Sequence, residues 1–292
     1  METILRSVSQ SVCISIEKPL VIIGEKINPT GRKKMMQALQ TGNFEYIREL
    51  AQIQVRAGAD VLDVNVGVPG LDDVALMPEI VRLVAETVDV PVCLDSPNPK
   101  ALESGLSVAP GKVLVNSVSG EEERLDAVLP LVKEHGAAVI GLILDDSGIP
   151  STPEARLAVA EKILNRAVQM GIPAEDVVID PLVMAVGADT NAGVVTLKTI
   201  ELVRAQLGAN INLGASNVSH GLPDRPLVNQ AFLALAVGAA ATCAITDPAK
   251  MTGIIRASDL LLGRDEYAGR YIKYYRQQQA LLAEAAKAAT TV

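Results

Sequence analysis

Carboxylates and carboxamides recur in this chain directly after short apolar runs, which gathers them at one end of whatever sheet those runs build. The segments are Gly24-Glu25-Lys26-Ile27-Asn28, Asp63-Val64-Asn65, Leu94-Asp95-Ser96, Asn116-Ser117, Asp180-Pro181 and Ser216-Asn217-Val218-Ser219, with His220 next in line. Carboxylates only accept hydrogen bonds, whereas amides both donate and accept, so the set suits a ligand rich in donors. Burying such groups is costly unless each is hydrogen-bonded. For a single Asp, a cap or a loop contact explains the residue as well as a ligand does. Repetition at strand after strand favours the ligand.

Other chemistries lack their residues. No Gly-rich loop leads into a Lys, and no G-x-G-x-x-G follows the first apolar run. Lys26 and Lys250 stand singly, which is the pattern of solvated charges rather than of a Schiff base or a phosphate cluster. Ser117 and Ser216 have no His-Asp pairing nearby in sequence to make either a nucleophile. With only two histidines, His135 and His220, the carboxylates lack the spacing of a His-assisted metal site.

The elements that must position these residues follow from the apolar pattern. Eight short apolar runs are present: Leu20–Gly24, Val61–Val64, Val90–Leu94, Val113–Val115, Ala138–Leu144, Val177–Ile179, Ile211–Leu213 and Thr242–Ile245. Between them lie stretches with helical spacing, among them Phe44–Ala57, Glu121–Glu134, Pro153–Met170 and Asn191–Leu207. Strands alternating with helices imply a parallel sheet, and eight repeats imply closure into an α/β (β/α)8 TIM barrel. Active sites of such barrels lie at the C-terminal ends of the strands, where the polar segments fall. Side-chain alternation puts Asp63 with Asn65, and Cys93 with Asp95, on shared strand faces. Ser151-Thr152-Pro153-Glu154 reads as a helix start, and Glu121 to Glu123 place negative charge in another first turn. Residues 1–19 read as an N-terminal extension and residues 20–292 as one barrel domain. It closes with a helical tail from Arg264 to Val292 that carries Tyr267, Tyr271 and Tyr274 on one face as a packing or dimer stripe.

Bulk composition agrees. A 292-residue chain with 49% hydrophobic residues and mean hydropathy +0.29 can bury a large core. With aromatics at 2%, that core must be aliphatic. The net charge of −8 and the lack of a basic block speak against nucleic acid. Three separated cysteines, Cys13, Cys93 and Cys243, form no disulfide or zinc pattern and suit a reducing, cytoplasmic setting. The start does not read as a signal peptide. The longest apolar stretch, Ala231 to Ile245, is too short for a membrane span and reads as a helix running into a strand.

Taken in order, Ile23–Asn28, Leu62–Gly67, Cys93–Ser96, Asn116-Ser117, Ile179–Leu182 and Ser216–Ser219 resemble the methyltetrahydrofolate–corrinoid protein methyltransferases. These are pterin-binding barrels related to the folate domain of cobalamin-dependent methionine synthase and, more distantly, to dihydropteroate synthase. The resemblance runs from about Leu20 to about Leu262. It implies that Asp95, Asn116 and Asp180 hold the donor-rich edge of a pterin. It also implies that Asn217 is catalytic and donates near N5, the nitrogen that carries the methyl group. Glu25, Asn28, Asp63, Asn65, Ser216 and His220 are lesser candidates at the same mouth. His220-Gly221 departs from the family pattern, which leaves His220 as either a second polar group near N5 or a residue that only lines the mouth.

The function this implies is methyl transfer between tetrahydrofolate or methyltetrahydrofolate and a corrinoid, in either direction. No bound metal is implied, because the corrinoid cobalt supplies or accepts the methyl. Without a D-x-H-x-x-G cobalamin-ligand motif, the corrinoid is expected on a separate partner protein, and a homodimer is expected for this chain. A dihydropteroate synthase-like condensing enzyme is the alternative. It needs an S-x-x-R-x-H motif after the last strand, where this chain has Thr246-Asp247-Pro248-Ala249-Lys250-Met251. A non-catalytic folate-binding protein is the third reading.

Overall fold

The computed structural model describes residues 1–290, without the side chains of residue 282 and residues 284–290. An antiparallel hairpin, β1 (Thr3–Arg6) and β2 (Ser11–Ile14), precedes the barrel. Strands and helices then alternate, with two helices after the first barrel strand: β3 (Val21–Ile27), α1 (Lys33–Thr41), α2 (Glu45–Arg56), β4 (Val61–Val64), α3 (Asp73–Thr87), β5 (Val92–Asp95), α4 (Pro99–Leu106) and β6 (Leu114–Ser119). It continues through α5 (Glu122–His135), β7 (Ala138–Leu142), α6 (Pro153–Gln169), β8 (Val177–Asp180), α7 (Ala192–Leu207) and β9 (Asn210–Ile211). The last elements are α8 (Arg225–Gly238), β10 (Cys243–Thr246), α9 (Pro248–Leu261) and α10 (Gly269–Thr290).

Eight parallel strands pair in the order β10-β3-β4-β5-β6-β7-β8-β9. The two ends of that order meet through Ile245 N–H donating to Leu213 O at 2.8 Å and Thr242 N–H donating to Ile211 O at 3.1 Å. The result is the expected α/β barrel. Each strand is apolar on both faces because both are covered. Val21, Ile23, Val61, Cys93, Leu114, Ala138, Ile140, Val178 and Cys243 fill the interior. Their alternates, such as Ile22, Leu62, Leu94, Val115, Val139 and Ile179, pack outward against the helices.

The stretch assigned to an N-terminal extension builds the floor of the barrel. Leu5 and Ile14 of the hairpin are fully buried against the interior side chains. Asn210 at the start of β9 donates to Ile14 O at 2.8 Å, and Arg6 exchanges backbone hydrogen bonds with Lys112. Gly111, at φ 75°, permits that approach, since any Cβ there would strike the Arg6 carbonyl. Closing one end with apolar side chains leaves the other end as the open mouth.

Boundaries differ from the sequence expectations where backbone chemistry intervenes. β5 begins at Val92 rather than Val90, after Pro91, which has no N–H to give a ladder. β7 stops at Leu142 because a tight turn closes between Asp145 and Gly148. The tyrosine stripe is corrected: α10 starts only at Gly269, so Tyr267, 91% exposed and at φ 52°, sits in the preceding turn. Tyr274 packs over Gly253 of α9. Val292 lies outside the described residues. No helix among the described residues is long and apolar enough to cross a membrane; Ala231 to Ile245 is indeed the end of α8 running into β10.

Candidate active site

Some of the polar residues that follow the strands are spent on folding. Asp72, Asn98, Thr152 and Asp247 cap α3, α4, α6 and α9 by accepting from first-turn N–H groups. Asn28 does likewise for its own loop, accepting from Thr30 N at 2.9 Å. Asp63, Asp95, Asn116 and Asp180 cap no helix, and the barrel turns them inward.

Across β4, β5 and β6 these inward groups form two neighbouring amide–carboxylate pairs. Asn65 donates to Asp95 Oδ2 at 3.0 Å, and Asn116 donates to Asp63 Oδ1 at 3.3 Å. Burial, then the neighbouring Asp95 charge, pushes the Asp63 carboxyl well above the usual range. Burial also raises Asp95, opposed by the Asn65 amide and the Arg124 guanidinium. Cys93 and Cys243 beneath are raised well above the usual thiol range, chiefly by burial, so both are neutral and poor nucleophiles. Asp95, Ser96, Asn116, Ser117, Ser119 and Arg124 line a cavity of about 320 Å³ that opens at the mouth.

Asp180 stands apart from that cavity, at the end of β8. It is 5% exposed and accepts from Leu182 N at 2.8 Å and from Asn212 Nδ2 at 2.7 Å. Burial lifts its pKa to about 6, against the pull of those donors and of Arg156. At neutral pH it is an ionised acceptor with a lone pair to spare.

The remaining side of the mouth, β9, β10 and β3, is wetter. Ser216 donates to Glu25 Oε2 at 2.9 Å, and Arg32 pairs with Glu25 Oε1 at 3.3 Å. Lys26 is no solvated single charge: its Nζ lies 2.5 Å from Asp247. Asn217 and His220 are exposed on the loop that follows β9, and the Asn217 side chain lies beside Gly214. Arg225 fixes this loop through Ser216 O at 2.7 Å and Ser219 Oγ at 3.1 Å.

The barrel thus joins Asn65 with Asp95, Asn116 with Asp63, and Glu25 with Ser216. Asn28, Asn217 and His220 are brought to the rim without side-chain partners among the described residues. Sequence reasoning missed Asn212, Asp247, Arg124, Arg156 and Arg225. The arginines did carry a signal: each lies in a first helical turn, where the helix dipole disfavours a cation. A larger cavity, about 540 Å³, lies at the opposite end beside the hairpin. Its carboxylates are already engaged, Asp60 by Arg256 and Arg270 and Asp89 by Ser7 and Ser9.

A (β/α)8 barrel whose open mouth presents buried acceptors and few free cations is built to take a neutral, donor-rich ring. Residues 24–247 match the pterin binding enzyme family, and the chain belongs to it. A methylcorrinoid:tetrahydrofolate methyltransferase of Eubacterium limosum is 33% identical over 266 residues, which cover 88% of this chain and 97% of that one. The methionine synthase of Mycobacterium tuberculosis is 30% identical over 245 residues, 80% of this chain but 21% of that protein. Dihydropteroate synthase structures share the fold. That of Yersinia pestis with a sulfonamide drug has TM-score 0.68 at 14% identity, covering 89% of this chain and 99% of its own. That of Xanthomonas albilineans with 7,8-dihydropteroate has TM-score 0.66 at 19% identity, with 89% and 98% coverage.

Proposed function

We propose that this protein moves a methyl group between N5 of tetrahydrofolate and the cobalt of a corrinoid carried by a separate protein. The observation that carries the reading is the set of inward acceptors, Asp95, Asn116 and Asp180, at the mouth of a barrel whose Eubacterium limosum relative bears that activity's name. Asp95 and Asp180 accept from the ring N–H and amino groups of the pterin, and Asn116 adds an amide that both donates and accepts. Asn217, exposed on the rim, donates to N5. A tertiary amine is a poor leaving group, so a donor aimed at the charge that develops there lowers the barrier. The corrinoid cobalt supplies or accepts the methyl; the protein binds, orients and polarises the folate. Either direction of transfer uses the same contacts. The condensing alternative is disfavoured because Asp247 and Lys26 pair with each other where a leaving pyrophosphate would need free cations.

Mixing the protein with a free corrinoid and each folate form, while following the cobalt spectrum, tests the reading. A change with one of the folates is expected; none with either would overturn it. We further propose a cytoplasmic homodimer. Its contact would draw on the exposed Leu227 and Leu235 of α8 and Leu261 of the adjacent α9. Light scattering at micromolar concentration should return about twice the chain mass of 30.7 kDa. A monomer across that range would remove the dimer.

A further inference from the structure

Two arginines share an unusual arrangement. Arg124, in the first turn of α5, donates to Ser117 O at 2.9 Å, Pro97 O at 2.6 Å and Ser96 O at 2.9 Å. Arg156, in the first turn of α6, donates to Pro150 O at 2.9 Å, Pro181 O at 2.7 Å and Leu182 O at 3.2 Å. Neither makes a salt bridge among the described residues. Each reaches from its own helix to carbonyls beside two neighbouring strand ends. Arg124 ties the loop after β5, directly past Asp95, to the Ser117 carbonyl of β6, directly past Asn116. The loops tied by Arg156 follow β7 and β8, the latter directly after Asp180. A cation in a first helical turn opposes the helix dipole, and burying one against carbonyls alone is costly. For stability alone, a neutral donor would serve better.

We infer that Arg124 and Arg156 are positioning residues of the pterin site: each clamps the backbone next to an acceptor and holds its own charge on the side of that carboxylate, Asp95 for Arg124 and Asp180 for Arg156. This rests on the proposed folate reading. Among the described residues, Arg124 is the cation that acts on Asp95 and Arg156 the cation that acts on Asp180. Asp180 is faced by Asn212 just past β9, the Cys243 thiol of β10, the Leu182 and Gly214 N–H groups, and Arg156 of α6. Around Asp95 stand Asn65 and Asp63 of the β4 region, Cys93 of its own strand, and Arg124 of α5. The sign follows from burial. Asp180 titrates near 6, so folate affinity is full above that pH and lost as pH falls through it. Removing the facing cation raises the carboxyl further and moves the loss to higher pH.

Calorimetric titration of tetrahydrofolate between pH 5.5 and 8.5 reads this directly. Arg156→Gln should move the acid midpoint of binding up by about one pH unit. Arg156→Lys keeps the charge but not the three-carbonyl fork, so it should hold the midpoint while affinity falls about tenfold. Arg124→Gln, at a less buried position, should shift the midpoint in the same direction through Asp95 and decides the matter if Arg156→Gln fails to fold. A merely structural role would lower affinity alike at every pH, and an unmoved acid limb in both Gln variants overturns the inference. If the wild-type protein binds no tetrahydrofolate at any pH, it is the proposed function that falls.

Discussion

The two halves of the barrel mouth solve different problems. From β4 to β8, polar groups are buried or half-buried and paired amide to carboxylate, and arginines clamp the backbone beside them. From β9 through β10 to β3, the polar groups are half-exposed ion pairs and side chains open to solvent, Asn217 and His220 among them. Buried, satisfied networks hold one geometry, because any rearrangement strands an unpaired group. Wet pairs at the other half exchange partners at little cost. The first half is suited to gripping a ring in one orientation. The second is suited to leaving the reactive edge of that ring open to a large partner.

The strongest test of this division is Asn217→Ala. An interaction formed mainly as the methyl–nitrogen bond breaks or forms should affect turnover more than ground-state binding. By analogy with one oxyanion donor, the rate should drop about 10²–10³-fold, or roughly 2.7–4 kcal/mol, with much less change in folate affinity. Stopped-flow measurement of the cobalt spectrum gives the rate. Transfer at the wild-type speed would mean the wet half contributes nothing to chemistry.

Next in size are Asp95→Ala and Asp180→Ala in the buried half. Each removes an acceptor for which the surroundings hold donors ready. A charged hydrogen bond is worth about 1.5–3 kcal/mol, so tetrahydrofolate affinity should fall roughly ten- to hundred-fold. Calorimetry on the folded variants checks it, and unchanged affinity in both would remove the buried half from ligand recognition.

How much of this was legible beforehand also divides by region. The strands were readable because burial on both faces forces unbroken apolar runs, and Asp63, Asp95, Asn116 and Asp180 stood out as the polar exceptions at their ends. What the sequence hid was pairing. Asn212 sits inside an apolar run and looks like part of the strand, yet its amide is turned onto Asp180 across β8 and β9. Lys26 and Asp247 lie at opposite ends of the chain, and only barrel closure puts β3 beside β10 and brings the two charges together. Arg124 and Arg156 could be flagged only as cations misplaced in a first helical turn; their partners are backbone carbonyls, which no residue type announces. Tyr267 was misplaced for the converse reason: a left-handed turn interrupts a pattern whose polarity alone runs on smoothly into the helix.

The smallest expected effect tests the wet half from the opposite direction. Lys26 and Asp247 approach to 2.5 Å, but their side chains are 28% and 8% exposed, so solvent screens the Lys end of the pair. Asp247 also accepts from Ala249 N at 3.2 Å, and that bond survives loss of the lysine. Removing Lys26 therefore leaves a carboxylate that still accepts from Ala249 N and lies 4.0 Å from Lys250 Nζ, unlike a buried charge stripped of its only partner. Lys26→Met keeps the aliphatic length and should cost about 0.5–1 kcal/mol, the range of partly exposed pairs. In a chain of this size that lowers Tm by only about 2–4 °C, and the difference should shrink as salt is added. Folate affinity should stay within about twofold. A loss above about 2 kcal/mol, or one indifferent to salt, would place the Lys26–Asp247 pair with the rigid groups of β4 to β8 and erase the line between the two halves.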